Sequence, residues 1–359
     1  MNQMITWPHG VDYTLAVQNP RNCFQDPRLR RARVLTNRYG IPAGASGNYA
    51  ITFRFDDGPQ IYAVRSFLRP VTDQQHRYET LSKYLSRLSL SFLVGFDYIP
   101  QGIALAGRLY PVVVMEWTNG KQLHQFVGEN HRQADVLTQL AGSFREVVKQ
   151  LGAARIAHGD LQHGNVLVEN ASRLRLVDYD GIWVPDLDGC PPNEVGHPDY
   201  QHPERIGKGF YTAAGDSFSA LVIYLSLIAL AADPGLWSFH AGENLILRAD
   251  DFKDAGRTGV WPKLKSSRAP EVQRLAGVLE KACRGPVAGV PSLETVLGGP
   301  PPARAAVIVI CPQCEGKSNG AEIYCQVCGY QLCGNRLCPV CRRSIPAKAC
   351  FCPKCGQEI

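Results

Sequence analysis

The sequence predicts an α+β fold in which a large domain is followed by a small metal-binding domain. Hydrophobic residues make up 45% of the 359 residues, enough to build a sizeable core. Strand-like apolar runs and segments of helical periodicity occur together in the first 297 residues. Ten of the thirteen cysteines lie between Cys311 and Cys355, after the run Gly298–Pro302, whose glycines and prolines mark a domain boundary.

The cysteines of the C-terminal tail form a repeat with a period of 27 residues. Each copy has two Cys-x-x-Cys pairs ten residues apart, a pattern that brings four thiolates to one tetrahedral ion. The predicted zinc ligands are Cys311, Cys314, Cys325 and Cys328 in the first copy, and Cys338, Cys341, Cys352 and Cys355 in the second. Two structural zinc ions are expected, because protein ligands fill all four positions of each site.

A disulfide framework is the alternative for this cluster, but it requires an oxidising compartment that nothing in the sequence indicates. A glycine follows the second pair of each copy, Gly329 and Gly356, as suits a tight turn around thiolate sulfur. Cys333 and Cys350 fall outside the repeat and are either spare thiols or residues for ligand exchange or redox sensing. The pattern resembles a tandem zinc ribbon, and such ribbons usually serve as docking modules.

Zinc binding also changes what the net charge implies. The formal charge is +6, and the tail from Ala303 onward contributes +4 through seven Lys or Arg and three Asp or Glu. Eight thiolates and two zinc ions would bring the tail to about zero and the whole chain to about +2. The positive formal charge is therefore no argument for nucleic acid binding.

The longest uncharged apolar stretch runs from Ser217 to Ala232. With 16 residues, three of them serines, it is short for a membrane span of about 20 residues. A buried core helix is expected, and a membrane helix is the alternative. The first ten residues contain no apolar run of signal-peptide length. These features predict a cytoplasmic protein without membrane attachment.

The segment HGDLQHGNVLVENASRLRLVDYDG contains the residues with the clearest chemical role. A polar loop leads into a strand that starts at Asn165, and a turn leads to a second strand that ends at Asp178. Such a hairpin brings Asp160, Asn165 and Asp178 to one edge. Phosphoryl transfer needs an acid–base group for a hydroxyl and oxygen ligands for magnesium, and these three side chains provide both.

The intervals between these residues resemble the catalytic loop and the metal-binding loop of protein kinases. Asn165 follows Asp160 by five positions, and Asp178 follows Asn165 by thirteen. An ordinary hairpin with polar ends is the alternative. The resemblance implies a two-lobed protein-kinase-like fold that uses ATP and Mg²⁺, followed by the tandem zinc ribbon.

The resemblance also predicts how the chain is divided. Residues 37–116 would form the kinase N-lobe, 117–297 the C-lobe, and 1–36 an N-terminal extension that braces the N-lobe. The remainder would consist of a Gly/Pro linker, 298–306, and two zinc ribbons, 307–332 and 333–359.

The segment GASGNYAIT resembles the glycine-rich loop that covers the phosphates in kinases. Its candidate ATP-binding residues are Gly44, Gly47 and Tyr49. Ala45 and Ala50 occupy two of the positions at which that loop usually has glycine. The order of this segment in the chain, ahead of the catalytic loop, supports the interpretation.

The strand IYAVRSF resembles the kinase strand that carries the phosphate-binding lysine, which here is Arg65. Glu79 is the only glutamate between Arg65 and Glu116. The resemblance therefore makes Glu79 the helix residue that pairs with the strand cation. Glu116 begins the predicted hinge, which would contact adenine through its backbone.

After the metal loop, GHPDYQHPER resembles the loop that positions a peptide substrate, with Pro203 and Glu204 as its closing pair. Asp216 then precedes the apolar run, at the place where a kinase has a buried central helix. The resemblance implies that this leading aspartate holds the backbone of the catalytic loop.

Several short segments resemble one bacterial family more closely. WPHG, AVQNPRNCFQDPRL, GIPAGASGNYA, AVRSF and RYE are similar to kinase-like proteins of tellurite-resistance-type gene clusters, which join a kinase domain to C-terminal zinc ribbons. That family also has arginine at the position of Arg65. The resemblance implies a signalling role and two partners, a von Willebrand factor A-type protein and a metal-dependent protein phosphatase.

Three substitutions depart from the kinase pattern around the phosphates and the C-lobe. Arg65 presents a planar fork instead of the compact charge of lysine, so the pocket is either rebuilt around it or less active. Gln162 replaces a lysine that touches the transferred phosphate, in the HGDLxxxN form that small-molecule kinases also use. Val290 replaces the arginine that usually pairs with Glu204.

Gly159 replaces the arginine that grips a phosphate on the activation segment. Residues 181–196 contain no Ser, Thr or Tyr. We therefore expect the activation segment to be ordered intrinsically or by a partner, without phosphorylation. The metal loop carries an additional acid, Asp180, which either supports the site or is simply exposed.

The predicted activity is transfer of the γ-phosphoryl group of ATP to Ser or Thr of a partner protein. Asp160 would accept or orient the hydroxyl proton, and Asn165 and Asp178 would hold magnesium. Arg65, oriented by Glu79, would hold phosphate oxygens. Two alternatives remain: a pseudokinase scaffold that binds nucleotide and partners, and a small-molecule kinase.

Overall fold

The computed structural model describes residues 7–298, except 48, 72 and 258, together with parts of the tail. In the tail the described residues are 308–311, 313–314, 316–319, 325, 327–328, 330, 335–337 and 344–346. The chain divides into two compact units, residues 1–302 and 303–359. This division falls within the predicted linker, and the finer domain boundaries remain predictions.

The first part of the larger unit combines short helices with an antiparallel sheet. In chain order the elements are α1 (Gly10–Ala16), α2 (Pro20–Cys23), α3 (Pro27–Arg31), β1 (Arg33–Val34), β2 (Gly44–Ser46), β3 (Ala50–Asp56), β4 (Ile61–Phe67), α4 (Gln74–Leu85), β5 (Phe96–Leu105) and β6 (Arg108–Glu116). The sheet has the order β1-β3-β4-β6-β5, and β2 also pairs with β3.

The central strands of this sheet show the alternating burial expected of strands with one face in a core. In β3, Phe53 and Phe55 are buried, whereas Arg54 is only partly buried, as expected when successive side chains point to opposite faces. Strands β5 and β6 are joined by Ala106 and Gly107, both at positive φ, as in the two-residue hairpin turns that match strand twist. One face of the sheet therefore builds a core, while part of the other face is left to border a cleft.

The N-terminal helices pack on the face of the sheet that carries Phe53. Tyr13 and Leu29 are fully buried and share one apolar cluster with Phe53 and Val112. The Tyr13 hydroxyl also donates a hydrogen bond to the carbonyl of Phe67 at 2.7 Å. These contacts connect α1 and α3 to the sheet.

The second part of the larger unit is mainly helical. Its elements are β7 (Lys121–Gln122), α5 (Leu123–Asn130), α6 (Ala134–Ala153), β8 (Val166–Asn170), β9 (Arg173–Leu176), α7 (Arg205–Lys208), α8 (Ser217–Ala232), α9 (Ala249–Lys253), α10 (Trp261–Lys265), α11 (Pro270–Arg284) and α12 (Leu293–Val296). Short 3-10 turns occur at Pro185–Leu187, Pro198–Tyr200, Pro234–Phe239 and Val287–Gly289. Strands β7, β8 and β9 form a small antiparallel sheet.

Helix α8 is the predicted core helix. It packs against α6 and α11, and most of its side chains are buried. Ser226 satisfies its buried hydroxyl within the helix, by donating to the carbonyl of Val222 at 2.7 Å. Across the described residues, the structure contains no helix with the length and apolar character needed to cross a membrane.

The hairpin predicted from the spacing of the acidic residues is formed by β8 and β9. Val166 pairs with Leu176, and the Val177 N–H donates to the Asn165 carbonyl at 3.0 Å, which extends the pairing by one step. Asn165 and Asp178 therefore flank adjacent strand ends. The hairpin thereby brings these two residues to one edge.

The described strands of the tail repeat with the same period as its cysteines. They are β10 (Ile308–Ile310), β11 (Lys317–Asn319), β12 (Asn335–Leu337) and β13 (Ser344–Pro346). β10 pairs with β11, and β12 pairs with β13, both antiparallel. Each residue of the first hairpin has its counterpart 27 positions later in the second, so the repeat is structural as well as compositional.

Candidate active site

A cleft of about 820 Å³ lies between the large sheet and the β8–β9 hairpin. Its walls come from the turn after β2, strand β4, the end of β6 with the residues after it, the loop before β8, and residues 194–198. Binding pockets for small molecules usually measure roughly 300–1,000 Å³. The cleft is therefore large enough for a nucleotide-sized ligand.

Asp160 and Asn165 lie together in this cleft, on the loop that precedes β8. The Asn165 side-chain amide donates to the carbonyl and to the carboxylate Oδ2 of Asp160, each at 2.9 Å. Because the amide nitrogen faces Asp160, the amide oxygen is the atom that a cation would use. The two residues thus form one hydrogen-bonded unit.

Asp160 is held from another direction by the segment at Gly196. The His197 N–H donates to Asp160 Oδ1 at 2.7 Å. Gly196 has a φ of +83°, and a Cβ atom at this position would lie 2.9 Å from Asp160 Oδ1. Glycine therefore permits the close approach. The segment that resembles a peptide-positioning loop borders the candidate acid–base residue.

Asp216, one residue before α8, fixes the backbone of the catalytic loop. Its carboxylate accepts hydrogen bonds from the N–H groups of His158 and Gly159, the latter at 2.9 Å. This is the arrangement that the kinase resemblance implied. Both bonds are charge-assisted because the acceptor is a carboxylate. Asp216 is also buried, so solvent screens these bonds little.

Gly159 has no room for the arginine that kinases usually carry at this position. Its φ is +81°, and a Cβ atom would lie 2.0 Å from the carbonyl oxygen of Gly181. Arg205 brings a guanidinium to the same place, because it donates to the Gly159 carbonyl at 2.7 Å and to Gln201 Oε1 at 2.6 Å. Arg205 is buried, so an arginine from a distant segment stabilises this loop.

Glu204 is also held, although Val290 replaces the usual arginine. The backbone N–H of Val287 donates to Glu204 Oε2 at 2.9 Å. A main-chain donor three residues before Val290 therefore takes part in holding this carboxylate.

Arg65 joins strand β4 to the metal loop. Its guanidinium donates to Asp178 Oδ2 at 2.9 Å and to Asp180 Oδ2 at 2.6 Å. Side-chain exposure is 15% for Arg65, 26% for Asp178 and 14% for Asp180. Burial alone would lower the pKa of Arg65, but the two carboxylates raise that pKa well above its ordinary value. Asp180 therefore supports the site and is not simply exposed.

Two buried polar atoms in this network have no hydrogen-bond partner among the described residues. They are Arg65 Nε and Asp178 Oδ1. A guanidinium N–H is a donor for phosphate, and a carboxylate oxygen is a ligand for Mg²⁺. Asp178 also has a φ of +67°, an uncommon conformation outside glycine that concentrates at functional sites. The residues present thus fit a magnesium–nucleotide group.

The predicted pairing of Glu79 with Arg65 is wrong. Glu79 is exposed on α4 and accepts a hydrogen bond from Gln75 at 2.9 Å. Tyr78 lies on the buried side of α4, and its hydroxyl donates to Asp180 Oδ1 at 2.5 Å. Successive residues of a helix point about 100° apart, so burial of Tyr78 turns Glu79 away from the cleft.

Gly44 also lies away from the cleft, in contrast to its predicted role in ATP binding. It pairs with Phe53 in the register of β2 and β3, and a Cβ atom would lie 2.7 Å from the Phe53 ring. Residues directly opposite each other share one face of a sheet, so Gly44 faces the N-terminal core. Gly47, Tyr49 and Glu116 do line the cleft, and their contact with nucleotide remains a prediction.

Glu194 is a candidate that was not predicted from the sequence. It lines the cleft with Asp160 and Asp178, and its buried Oε1 has no hydrogen-bond partner among the described residues. Burial raises the pKa of Glu194 well above its ordinary value, and the charges of Asp178 and Asp160 act in the same direction. This carboxyl therefore stays protonated to a higher pH than a free glutamate does. The irregular segment around Glu194 contains no periodic signal that could have identified it.

The four cysteines of the first tail copy form a compact cluster. Their sulfur atoms all lie within 4.8 Å of one another, and the pairs Cys311–Cys328 and Cys314–Cys325 are each 3.6 Å apart. Zn–S bonds of about 2.3 Å place the sulfurs of a tetrahedral site roughly 3.8 Å apart. The Val327 N–H also donates to Cys325 Sγ at 3.4 Å. The geometry therefore fits a structural metal ion.

The remaining predicted features of the tail lie outside the described residues. These are the second ligand set, Cys338, Cys341, Cys352 and Cys355, together with Cys333, Cys350, Gly329 and Gly356. They stay predictions.

The fold and the cleft together define a phosphotransferase-like site, and a comparison with protein families gives its class. The family model described as the protein kinase domain matches residues 46–240, which is more than half of the chain. The chain therefore belongs to the protein kinase domain family.

Curated relatives are similar at low identity. The chain is 29% identical to CBL-interacting serine/threonine-protein kinase 21 of Arabidopsis thaliana over 153 residues, which cover 42% of this chain and 37% of that protein. It is 26% identical to rat (Rattus norvegicus) tyrosine-protein kinase JAK3 over 198 residues, which cover 50% of this chain and 18% of that protein. It is 28% identical to CBL-interacting protein kinase 16 of Oryza sativa subsp. japonica over 131 residues, which cover 34% and 28%.

The matched segments span about a third or less of each relative's own length. One relative is named a serine/threonine kinase and another a tyrosine kinase. These similarities support the kinase domain, and they do not distinguish a Ser or Thr acceptor from a Tyr acceptor.

Proposed function

We propose that this chain transfers the γ-phosphoryl group of ATP to a serine or threonine hydroxyl of a partner protein. The observation that carries this proposal is the convergence of Asp160, Asn165, Asp178 and Arg65 on one cleft. Arg65 comes from strand β4, 113 positions before Asp178, and the other three come from the loops before β8 and after β9. Together they supply an acid–base group, oxygen ligands for a cation and a donor for phosphate.

Asp160 would accept or orient the proton of the attacking hydroxyl. A bond forms between the hydroxyl oxygen and the γ-phosphorus, the bond from that phosphorus to the bridging oxygen of ADP breaks, and the proton passes to Asp160. His197 and Asn165 hold the two carboxylate oxygens of Asp160 from different sides. The carboxylate is therefore oriented before a substrate arrives.

Asn165 and Asp178 would hold magnesium, which when bound offsets the negative charge of the phosphates. Arg65 would donate to phosphate oxygens through its planar fork. Gly47 and Tyr49 would cover the phosphates from the turn after β2. The Gly47 N–H donates to the Ala50 carbonyl at 2.9 Å, which shapes that turn.

A protein substrate is supported by the position of the loop around Gly196. This loop contacts Asp160 and contributes Pro198 to the cleft wall. A serine or threonine acceptor is favoured by similarity to the Arabidopsis relative, which is named as a serine/threonine kinase. A small-molecule kinase has no need of a peptide-positioning loop beside its acid–base residue.

We infer that the activation segment is ordered without phosphorylation. Arg77 of α4 is buried and donates to the carbonyl of Pro191 at 2.6 Å. The Tyr211 hydroxyl donates to the carbonyl of Ile182 at 2.6 Å, and the Arg77 guanidinium lies over the Tyr211 ring. These hydrogen bonds hold two carbonyls of residues 181–196, the segment that contains no Ser, Thr or Tyr.

The tail would bind two zinc ions and serve as a docking module. Its first cysteine cluster supports one of these ions directly, and the 27-residue repeat supports the second. The bacterial family resemblance supports a von Willebrand factor A-type protein and a metal-dependent protein phosphatase as partners, and it supports an origin in a tellurite-resistance-type gene cluster.

Intact-mass spectrometry after incubation with magnesium and ATP tests the activity. The wild-type chain should gain one or more phosphates of about 80 Da each, whereas Asp160→Ala and Asp178→Ala should gain none. Circular dichroism and zinc content should be unchanged in both variants. An equal mass gain in wild type and Asp178→Ala would contradict the assignment.

Measuring nucleotide binding alongside protein labelling distinguishes a pseudokinase scaffold from an active kinase. That alternative is favoured by one observation, the engagement of Arg65 with both acids of the metal loop. Calorimetric binding of magnesium–ATP without any labelling of protein, including candidate partners, would favour a scaffold. Consumption of ATP with a metabolite and no protein labelling would favour a small-molecule kinase.

A further inference from the structure

The cation of strand β4 is held from the metal loop and not from helix α4. Arg65 donates to Asp178 and Asp180, and the two acceptor oxygens lie at 2.9 Å and 2.6 Å. The one glutamate of α4, Glu79, is exposed and bonded to Gln75. The usual partner of the strand cation is therefore replaced in this chain.

Helix α4 contributes a hydroxyl in place of a carboxylate. Its buried face consists of Gln74, Arg77, Tyr78 and Leu81, a spacing of three and four residues that matches one side of a helix. Tyr78 is the member of this face that reaches the metal loop, where it donates to Asp180 Oδ1. Burial raises the pKa of Tyr78 well above its ordinary value, so the hydroxyl keeps its proton and remains a donor.

The two oxygens of Asp180 thus have two different partners. Oδ2 accepts from Arg65 and Oδ1 accepts from Tyr78. A largely buried carboxylate is stable only when it is paired and hydrogen-bonded, and these two donors meet that requirement. Asp180 consequently connects strand β4, helix α4 and the metal loop.

Arginine explains why an additional acid is useful here. A guanidinium has donors on several edges in a rigid plane, whereas an ammonium is a compact point charge. If Asp178 alone paired with Arg65, the ligand of the cation and the anchor of the arginine would be the same residue. Asp180 provides a second anchor for Arg65, while Asp178 Oδ1 and Arg65 Nε, which have no hydrogen-bond partner among the described residues, remain for the cation and for phosphate.

We propose that Asp180, together with the Tyr78 hydroxyl, is the positioning residue for Arg65 and takes the place predicted for Glu79. This inference rests on the proposed function, because the position of Arg65 matters only if phosphates enter the cleft. Asp180 acts through Arg65 and touches neither substrate. Helix α4 is then coupled to the site by a hydrogen bond from an uncharged donor, the Tyr78 hydroxyl, to the Asp180 carboxylate.

The test compares Asp180→Asn with the matched control Glu79→Gln, since each replaces one carboxylate by an amide of the same shape. Affinity for magnesium–ATP is measured by calorimetry. Hydrogen exchange of α4 and β4 is measured in the nucleotide-free chain. Asp180→Asn should weaken ATP binding about tenfold or more, as expected for loss of a hydrogen bond between charged groups. Glu79→Gln should leave affinity and exchange unchanged.

Two further variants distinguish positioning from general destabilisation. Tyr78→Phe removes only the hydroxyl and should speed exchange in α4 while weakening ATP binding less than Asp180→Asn does. In an Arg65→Met background, Asp180→Asn should have little additional effect on affinity, because a double-mutant cycle reports the contact between the two residues. Thermal unfolding of each variant identifies any that fails to fold.

The outcomes separate this inference from the proposed function. If wild type transfers phosphate and Asp180→Asn binds ATP as well as wild type, the inference fails and the function stands. If Glu79→Gln weakens binding instead, Glu79 pairs with Arg65 in the working state and the inference also fails. If wild type binds ATP without transferring phosphate, and Asp180→Asn weakens that binding, the proposed function fails and the inference stands.

Discussion

The two units of this chain differ in what their buried clusters contain. In the larger unit, 12 of the 16 residues of α8 are buried, and the helix packs against α6 and α11. In the tail, the buried cluster among the described residues consists of Cys311 and Cys325, with Cys314 and Tyr330 packed beside them. Apolar burial can offset chain entropy in the first unit, whereas we expect the second to depend on metal coordination. The two units should therefore respond to different perturbations.

The largest expected effect is loss of the metal site in the double variant Cys311→Ser, Cys325→Ser. Structural zinc sites contribute apparent binding free energies of about 10–16 kcal/mol, so the first tail repeat should unfold. Metal content, measured by plasma mass spectrometry, should fall from two zinc ions to one. The calorimetric transition of the larger unit should not move.

Cys333→Ser is the matched control for that variant, because Cys333 lies outside the repeat. It should retain two zinc ions. Loss of zinc from Cys333→Ser, or two ions retained by the double variant, would contradict the predicted ligand set.

A cavity in the core should affect only the larger unit. Leu227 of α8 is fully buried, and truncation of such a residue to alanine usually costs about 2–5 kcal/mol through lost contacts and the cavity left behind. Leu227→Ala should therefore lower the free energy of unfolding in urea and leave zinc content unchanged. Leu15→Ala in α1, where the side chain is 62% exposed, should change it by less than about 0.5 kcal/mol. Equal changes in the free energy of unfolding for the two variants would contradict the role of Leu227 in the core.

Backbone conformation gives a smaller, site-specific effect. Gly159→Ala places a Cβ atom against the Gly181 carbonyl at a positive φ, and strain of this kind costs about 1–3 kcal/mol. Because the loop carries Asp160, phosphate transfer should also fall. The control is Gly142→Ala in α6, where the added Cβ would meet no atom within 4 Å apart from its chain neighbours and the backbone of its own helix, and alanine favours the helix. Urea unfolding should show opposite signs for the two, and equal signs would contradict the role of φ.

The smallest expected effect comes from an ion pair. Arg145 of α6 donates to both carboxylate oxygens of Glu294 in α12, at 2.6 Å and 3.0 Å. The hydrogen bonds from Arg145 lower the pKa of Glu294 below its ordinary value of 4.5. A lowered pKa stabilises the fold above the unfolded-state pKa, and this contribution is lost as pH falls through the folded-state pKa. Arg145 is 37% exposed, so screening keeps the effect of Glu294→Gln near 1 kcal/mol at pH 7.

Urea unfolding at pH 7 and again well below pH 4.5 checks this prediction. The difference between wild type and Glu294→Gln should shrink at the lower pH. Glu146→Gln is the control, since Glu146 is exposed and its nearest cation, Lys149, is 3.7 Å away. A difference that does not depend on pH would mean that the charge of Glu294 is not its source.

Much of the site was predictable because its members are close in the sequence. Asp160, Asn165 and Asp178 lie within one hairpin, whose polar loop and two apolar strands follow local rules. The tail could be predicted for the same reason, because each set of four thiols lies within 18 residues. Helix α8 was marked by an uncharged run that is too short for a membrane and too apolar for a surface.

The partner of Arg65 was not predictable from the kinase pattern alone. That pattern favoured Glu79, but the apolar stripe of Tyr78, Leu81 and Leu85 in α4 turns Glu79 away from the core. Reading the phase of this stripe would have indicated Tyr78 as the inward residue. The same reasoning cannot identify Asp180 as the partner of Arg65, because Asp180 lies in a loop without periodic burial.

The sequence by itself determined the hairpin with its three polar side chains and the zinc-ligand repeat, because each depends on patterns that act over a few residues. The kinase class followed from the resemblance of those intervals to known kinases. Only the tertiary structure decided that Asp180 holds Arg65, 115 positions away, and that Arg205 supports the loop at Gly159, 46 positions away. Such contacts depend on how distant elements pack. A buried charge is costly unless it is paired, so each buried arginine pairs with acceptors that the fold brings close to it.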